Sequence, residues 1–167
     1  MAMSTHFLYF AYGSNLLSAR LKARTPSARA RGMALLEGHA LRWHMSSLDG
    51  SGKCDVVASE ASHVQGVVYE IALHEKPHLD AAESLGSGYS ERQLNVRMGA
   101  EAHPVWLYCA LRTDPLAQPY DWYKGLVMAG AREHGLGADY IRDLEAVQAK
   151  ADADAARAAL HFKLAGF

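Results

Sequence analysis

The sequence predicts an α+β fold: a mixed, barrel-like β-sheet of about five to seven strands with helices packed outside it. Three observations lead there. Short apolar or β-branched runs recur as far as Leu111, and helical patterns closed by proline or glycine interrupt and follow them. The runs after Gly86 lie close enough in sequence to pair antiparallel. The chain has 167 residues, half of them hydrophobic, which suits one domain with a substantial core.

Each element has its own local cause. Phe7 to Ala11 is a continuous apolar run, as a strand buried on both faces requires. Gly13-Ser14-Asn15 ends it, and Leu16, Leu17, Ala19, Arg20, Leu21 and Ala23 then carry a helical pattern that closes before Pro26. Residues 33–48 read as a long strand around Leu35, Leu36, Leu41 and Trp43, and Asp49-Gly50-Ser51-Gly52 as a turn. Asp55 to Ser59 predicts a second, short strand, and Gln65 to Ile71 a third. A short helix is expected from Pro77 to Leu85, with Pro77 in its first turn and Gly86 past its end. Glu91 to Met98 alternates as a strand. Pro104 to Leu111 follows, with Val105, Leu107 and Cys109 on one face. Asp121 to His134 predicts a helix stopped at Gly135, and Tyr140, Leu144 and Val147 mark another. The single domain thus has its core at about 7–147 and a helix-permissive, Ala-rich tail at 148–167.

Composition narrows the function. A net charge of −1 gives nucleic acid no attractive field. Arg20, Lys22, Arg24, Arg29 and Arg31 form only a loose group, read as a solvated helix face. The two cysteines, Cys54 and Cys109, make no C-x-x-C, so free thiols and a cytoplasmic location are expected. The opening Met-Ala-Met-Ser-Thr-His lacks a leader's basic segment, and no apolar run is long enough for a membrane span.

The sharpest local feature is the break at Tyr12-Gly13-Ser14-Asn15-Leu16. Glycine permits a tight turn, and Ser14 and Asn15 suit the N-cap of the helix that follows. A helix N-terminus with free N–H groups favours a carboxylate or phosphate, and Tyr12 would add an aromatic wall. A capped strand–turn–helix with no ligand explains the same residues.

The run FLYFAYGSNL resembles the first motif of the γ-glutamylcyclotransferase family. HVQGVVYEI is similar to that family's mid-chain strand, LDAAES to its catalytic segment and WYKGLVMAGAREHGLGADYI to its late helix–turn–helix. Tyr-Gly-Ser-Asn-Leu at residues 12–16 resembles the enzymes acting on γ-glutamyl amino acids more than the γ-glutamylamine branch (Tyr-Gly-Thr-Leu) or the glutathione-specific branch (Tyr-Gly-Ser-Leu). The resemblance implies the family's fold and release of 5-oxoproline from a γ-glutamyl compound. It implies no metal or organic cofactor, and a small-molecule partner rather than nucleic acid or membrane. Residues 12–16 would bind the γ-glutamyl part and Glu83 would serve as general acid and base.

The local setting of Glu83 agrees, because the C-terminal end of a helix disfavours the charged carboxylate and raises its basicity. A solvent-facing Glu on a short helix is the plain alternative. Asp80, three residues earlier, is read as structural. The family usually has Gly directly after the catalytic Glu; here it is Ser84. Tyr89 resembles a pocket tyrosine at a spacing one residue shorter, and Tyr108 and Tyr123 fall where relatives carry site tyrosines.

Other signals carry less. His74-Glu75-Lys76-Pro77-His78 matches H-E-x-x-H, but Pro77 blocks the helix that a zinc site of that kind requires. His44, Ser46 and Asp49 lack the G-x-S-x-G elbow of a hydrolase. Leu126, Val127 and Met128 could cover a homodimer contact, although a core role suits them better. Two alternatives remain: a γ-glutamylamine or pathway-specific γ-glutamyl cyclotransferase, and a non-catalytic module of the same fold that binds small carboxylates.

Overall fold

The computed structural model describes residues 3–167. Met1 and Ala2, the start of the segment read above as lacking a leader, lie outside the described residues. Among the described residues, five strands close a barrel in the order β1-β3-β2-β4-β5. They are β1 (His6–Ala11), β2 (Arg29–Ser46), β3 (Gly52–Ala72), β4 (Tyr89–Met98) and β5 (Glu101–Ala110). Neighbours pair antiparallel until the seam, where β5 meets β1 in parallel with Tyr9 opposite Trp106. The sheet is the mixed barrel expected from the sequence.

Two strand expectations change. The short strands at 55–59 and 65–71 are one continuous β3 that pairs with β2 along most of its length. Ser59 to His63 reads as a break because it is mostly polar and largely exposed; the chain stays extended there, but Ser59 to Ser62 have no partner on β2 and bulge out between the Ala58–His39 and His63–Glu37 pairs. The long hairpin bends at register shifts between Ala30 and Gly32, Glu37 and His39, and Arg42 and Met45, the second of them opposite this segment. Such bulges curl a sheet enough to close it.

The helices are α1 (Ser18–Arg24), α2 (Lys76–Ala82), α3 (Asp121–Glu133), α4 (Ala138–Glu145) and α5 (Ala155–Ala165). The expected helix after Gly13 is split: Ser14–Leu16 form a 3-10 turn and Leu17 is extended before α1 begins. Ser14 and Asn15 make no capping hydrogen bond, so the anticipated helix-terminus cradle is not built. Gly13 has a φ of −114°, outside the left-handed region. What it supplies is room, since a Cβ there would lie 3.1 Å from both Cys54 Cβ and Tyr123 Oη.

The helix at α2 stops at Ala82, short of the expected Leu85. Leu85 N–H donates to Asp80 C=O at 2.9 Å and Ser84 N–H to Ala81 C=O at 3.1 Å. These are the two bonds of a Schellman C-cap, which places Ser84 in the left-handed region at φ 51°. The core holds Phe10, Val64, Val67, Val68, Tyr69 and Leu107, all essentially inaccessible. Leu126, Val127 and Met128 are buried in it too, so that triplet is used within the chain.

Candidate active site

A cavity of about 140 Å³ opens at one end of the barrel. β1 supplies Tyr9 to its wall; Tyr12 and Gly13 come from the link after β1, Ser14 and Asn15 from the 3-10 turn, and Arg20 and Arg24 from α1. Lys53 and Cys54 enter from β3, Tyr89 from β4, Tyr108 from β5 and Tyr123 from α3, while Glu83 sits at the C-cap of α2. Every residue named from the sequence lines this cavity except Leu16. Leu16 is wholly buried in the core, where its carbonyl accepts from Tyr69 Oη at 2.8 Å.

Glu83 is the carboxylate of the cavity, its side chain 16% exposed. Asn15 Nδ2 donates to Oε1 at 2.8 Å and also contacts Tyr9 Oη at 3.0 Å. Arg24 Nη1 lies 3.5 Å from Oε1 and donates to Asn15 Oδ1 at 3.0 Å. Burial raises the Glu83 carboxyl above the usual carboxylate range, against the lowering pull of Arg24, Arg20 and the Asn15 amide. The result is a carboxylate held in place yet more basic than an exposed one.

The tyrosines are neutral donors and acceptors rather than bases. Burial pushes Tyr9, Tyr12, Tyr89, Tyr108 and Tyr123 above the usual phenol value. Tyr12 Oη donates to the Tyr108 carbonyl, and Tyr89 Oη to the Cys54 carbonyl at 2.7 Å. Tyr123 Oη accepts from Cys54 N–H at 3.1 Å. Tyr108 Oη donates to Asp80 Oδ1 at 2.5 Å, and Lys76 Nζ holds the same carboxylate at 3.0 Å. Asp80 therefore fixes a pocket tyrosine from outside the cavity, which gives its structural role a concrete form. Burial also pushes the Cys54 thiol up, leaving it a poor nucleophile.

The discounted motifs are engaged elsewhere. Glu75 accepts from Ser27 N–H and Oγ. His44 pairs with Asp55 at 2.7 Å, while Asp49 takes Lys53 at 2.7 Å and Ser51 Oγ at 2.6 Å. Arg20 and Arg24 are the main omission from the sequence reading: they face the cavity, not solvent. Their spacing of four puts them on one face of α1, a pattern that exposed helices share. Lys53 was missed for a similar reason, standing beside a turn, and Tyr9 was absorbed into its strand.

A closed barrel with a cavity lined by one raised-pKa carboxylate, three cationic side chains and neutral phenols has the make-up of an enzyme site. Comparisons with known proteins agree. Residues 63–144 match the model of the AIG2-like family. The mouse γ-glutamylcyclotransferase is 32% identical over 157 residues, covering 85% of this chain and 79% of that one. The human γ-glutamylcyclotransferase is 33% identical over 149 residues with the same coverage. A solved structure named gamma-glutamyl cyclotransferase superposes with a TM-score of 0.85 at 27% identity, covering 95% of this chain and 99% of that one. The chain belongs to the γ-glutamylcyclotransferase family of enzymes.

Proposed function

We propose that the protein releases 5-oxoproline from a γ-glutamyl amino acid, with Glu83 as general acid and base. The observation that carries this reading is the Glu83 carboxylate, buried, raised in pKa and oriented by Asn15 inside the cavity. Ring closure needs no enzyme nucleophile, because the substrate's own α-amine attacks its own γ-carbonyl. The amine exchanges one proton with solvent and attacks as the free base. As the new N–C bond forms, the nitrogen sheds a proton to Glu83. Glu83 passes it to the departing nitrogen as the old C–N bond breaks, and the freed amine later regains its second proton from solvent. A base with raised pKa suits both halves of this exchange near neutral pH. Confinement of a folded substrate in a small cavity supplies the proximity such a cyclisation requires.

The test is parallel incubation with γ-glutamyl-alanine, a γ-glutamyl amine and glutathione, scored by 5-oxoproline release. The substrate that reacts names the leaving group. Glu83→Gln, checked for its fold by circular dichroism, should lose at least about 100-fold in kcat. Undiminished release in that variant would remove Glu83 from the role. No release from any of the three would favour the carboxylate-binding module.

A further inference from the structure

We infer that Arg20 is the anchor for the α-carboxylate of the bound γ-glutamyl group. The inference rests on the reading that a γ-glutamyl compound occupies this cavity. Three cations face the cavity, Arg20, Arg24 and Lys53. Two are matched. Arg24 lies 3.5 Å from Glu83, and Lys53 donates to Asp49 at 2.7 Å. Arg20 has no carboxylate partner among the described residues. Its Nε donates to Ser14 Oγ at 2.9 Å, and its Nη1 lies 3.4 Å from His161 Nδ1. Both neighbours are neutral acceptors, and Nη2 makes no hydrogen bond among the described residues.

A part-buried guanidinium without a counter-ion is costly unless a ligand supplies one. Burial, with Arg24 nearby, pulls Arg20 down to about 10, still well above neutral pH. The charge therefore persists; Glu83 acts on it only through space, with no ion pair formed among the described residues. A guanidinium whose Nε is tied and whose Nη2 remains available is suited to a carboxylate oxygen. The surroundings keep it aimed: Ser14 grips one side, and the His161 ring on the other is stacked on Trp122 with centroids 4.0 Å apart and planes 16° apart. Glu83 and Arg20 then meet complementary parts of one α-amino acid head. The carboxylate side chain faces the ammonium that must lose a proton, and the guanidinium faces the carboxylate beside it.

The experiment removes the charge from each side in turn. The substrates are γ-glutamyl-alanine and 4-aminobutyryl-alanine, which cyclises the same way but lacks the α-carboxylate. Wild type should lose about 10- to 100-fold in kcat/KM on the second substrate, the range of one charge-assisted hydrogen bond. Arg20→Gln should lose a comparable factor on γ-glutamyl-alanine and show little further loss on the analogue. Arg20→Lys, a gentler change that keeps the charge, should recover part of the discrimination. Losses that simply multiply would overturn the assignment. A second readout needs no turnover: calorimetric binding of 5-oxoproline against 2-pyrrolidinone. A preference for the carboxylate ligand that vanishes in Arg20→Gln supports the anchor even if the cyclisation reading fails. Equal preference in both proteins rules it out.

Discussion

Glu83 is held between opposing influences, and the balance can be moved. Its Asn15 donor favours the ionised form, so Asn15→Ala should raise the carboxyl further. In the proposed role Glu83 works as a base only when deprotonated. The acidic limb of the kcat/KM profile should therefore shift to higher pH by about one unit, equivalent to ~1.4 kcal/mol. A limb that stays in place would show that this hydrogen bond does not tune the base. The neighbouring Ser84 stands at φ 51° where glycine is free of strain. Ser84→Gly should stabilise the protein by about 0.5–1 kcal/mol, read from the urea midpoint, because it relieves the left-handed penalty at some entropic cost. Ser84 is the left-handed residue of the Schellman cap that stops α2 directly after Glu83, a position whose geometry glycine would meet without strain. Glu83 could be named from the sequence because its motif is local. Arg20 could not, since its meaning comes from which way α1 faces once the 3-10 turn has re-aimed it.

Helix α3 reaches the loop after β1 through one bare position. A Cβ at Gly130 would lie 2.4 Å from Leu17 N and 2.5 Å from Leu16 Cβ. Gly130→Ala should thus cost at least about 2 kcal/mol and lower the melting temperature, by forcing α3 off that loop. A neutral effect would mean that the turn can shift freely. Helix α5 carries a different dependence. The His161 imidazole is held below its usual value by burial and by Arg20, Lys53, Arg157 and Arg24, its charged surroundings on α1, β3 and α5. Released from the docked state it titrates near 6.5. Docking of α5 is then complete above that value and weakens as pH falls below it, because the released helix takes a proton that the docked one resists. Hydrogen exchange of α5 amides should quicken on acidification through about 6.5. His161→Phe, which keeps a ring but cannot titrate, should flatten the response. The presence of α3 and α5 was readable from helical pattern and stop residues. The unity of β3 was not, because weak strand formers at 59–63 stay extended only as an unpaired bulge held by the β2 pairs on either side of it.

The molecule as a whole is a barrel whose seam joins the first strand to the last. Its two thiols are free and buried, and burial pushes both upward. They should react with a thiol reagent far more slowly in native protein than in denaturant; fast native reaction would reveal opening of the barrel around Cys54. The barrel class could be read from the spacing of the runs, but the seam could not. A parallel meeting of β1 and β5 depends on the curl imposed by the β2–β3 bulges, and that is a sum over many residues rather than a motif. The seam has a consequence for synthesis. A chain leaving the ribosome presents Tyr12-Gly13-Ser14-Asn15 near its start, yet the strand that flanks β1 at the seam is completed only at Ala110, and the helix that braces the turn comes later still. The loop that shapes the cavity is made early and finds its seat late. The cavity draws its wall from residues as early as Tyr9 and as late as Tyr123, so its lining is complete only once most of the chain has been made.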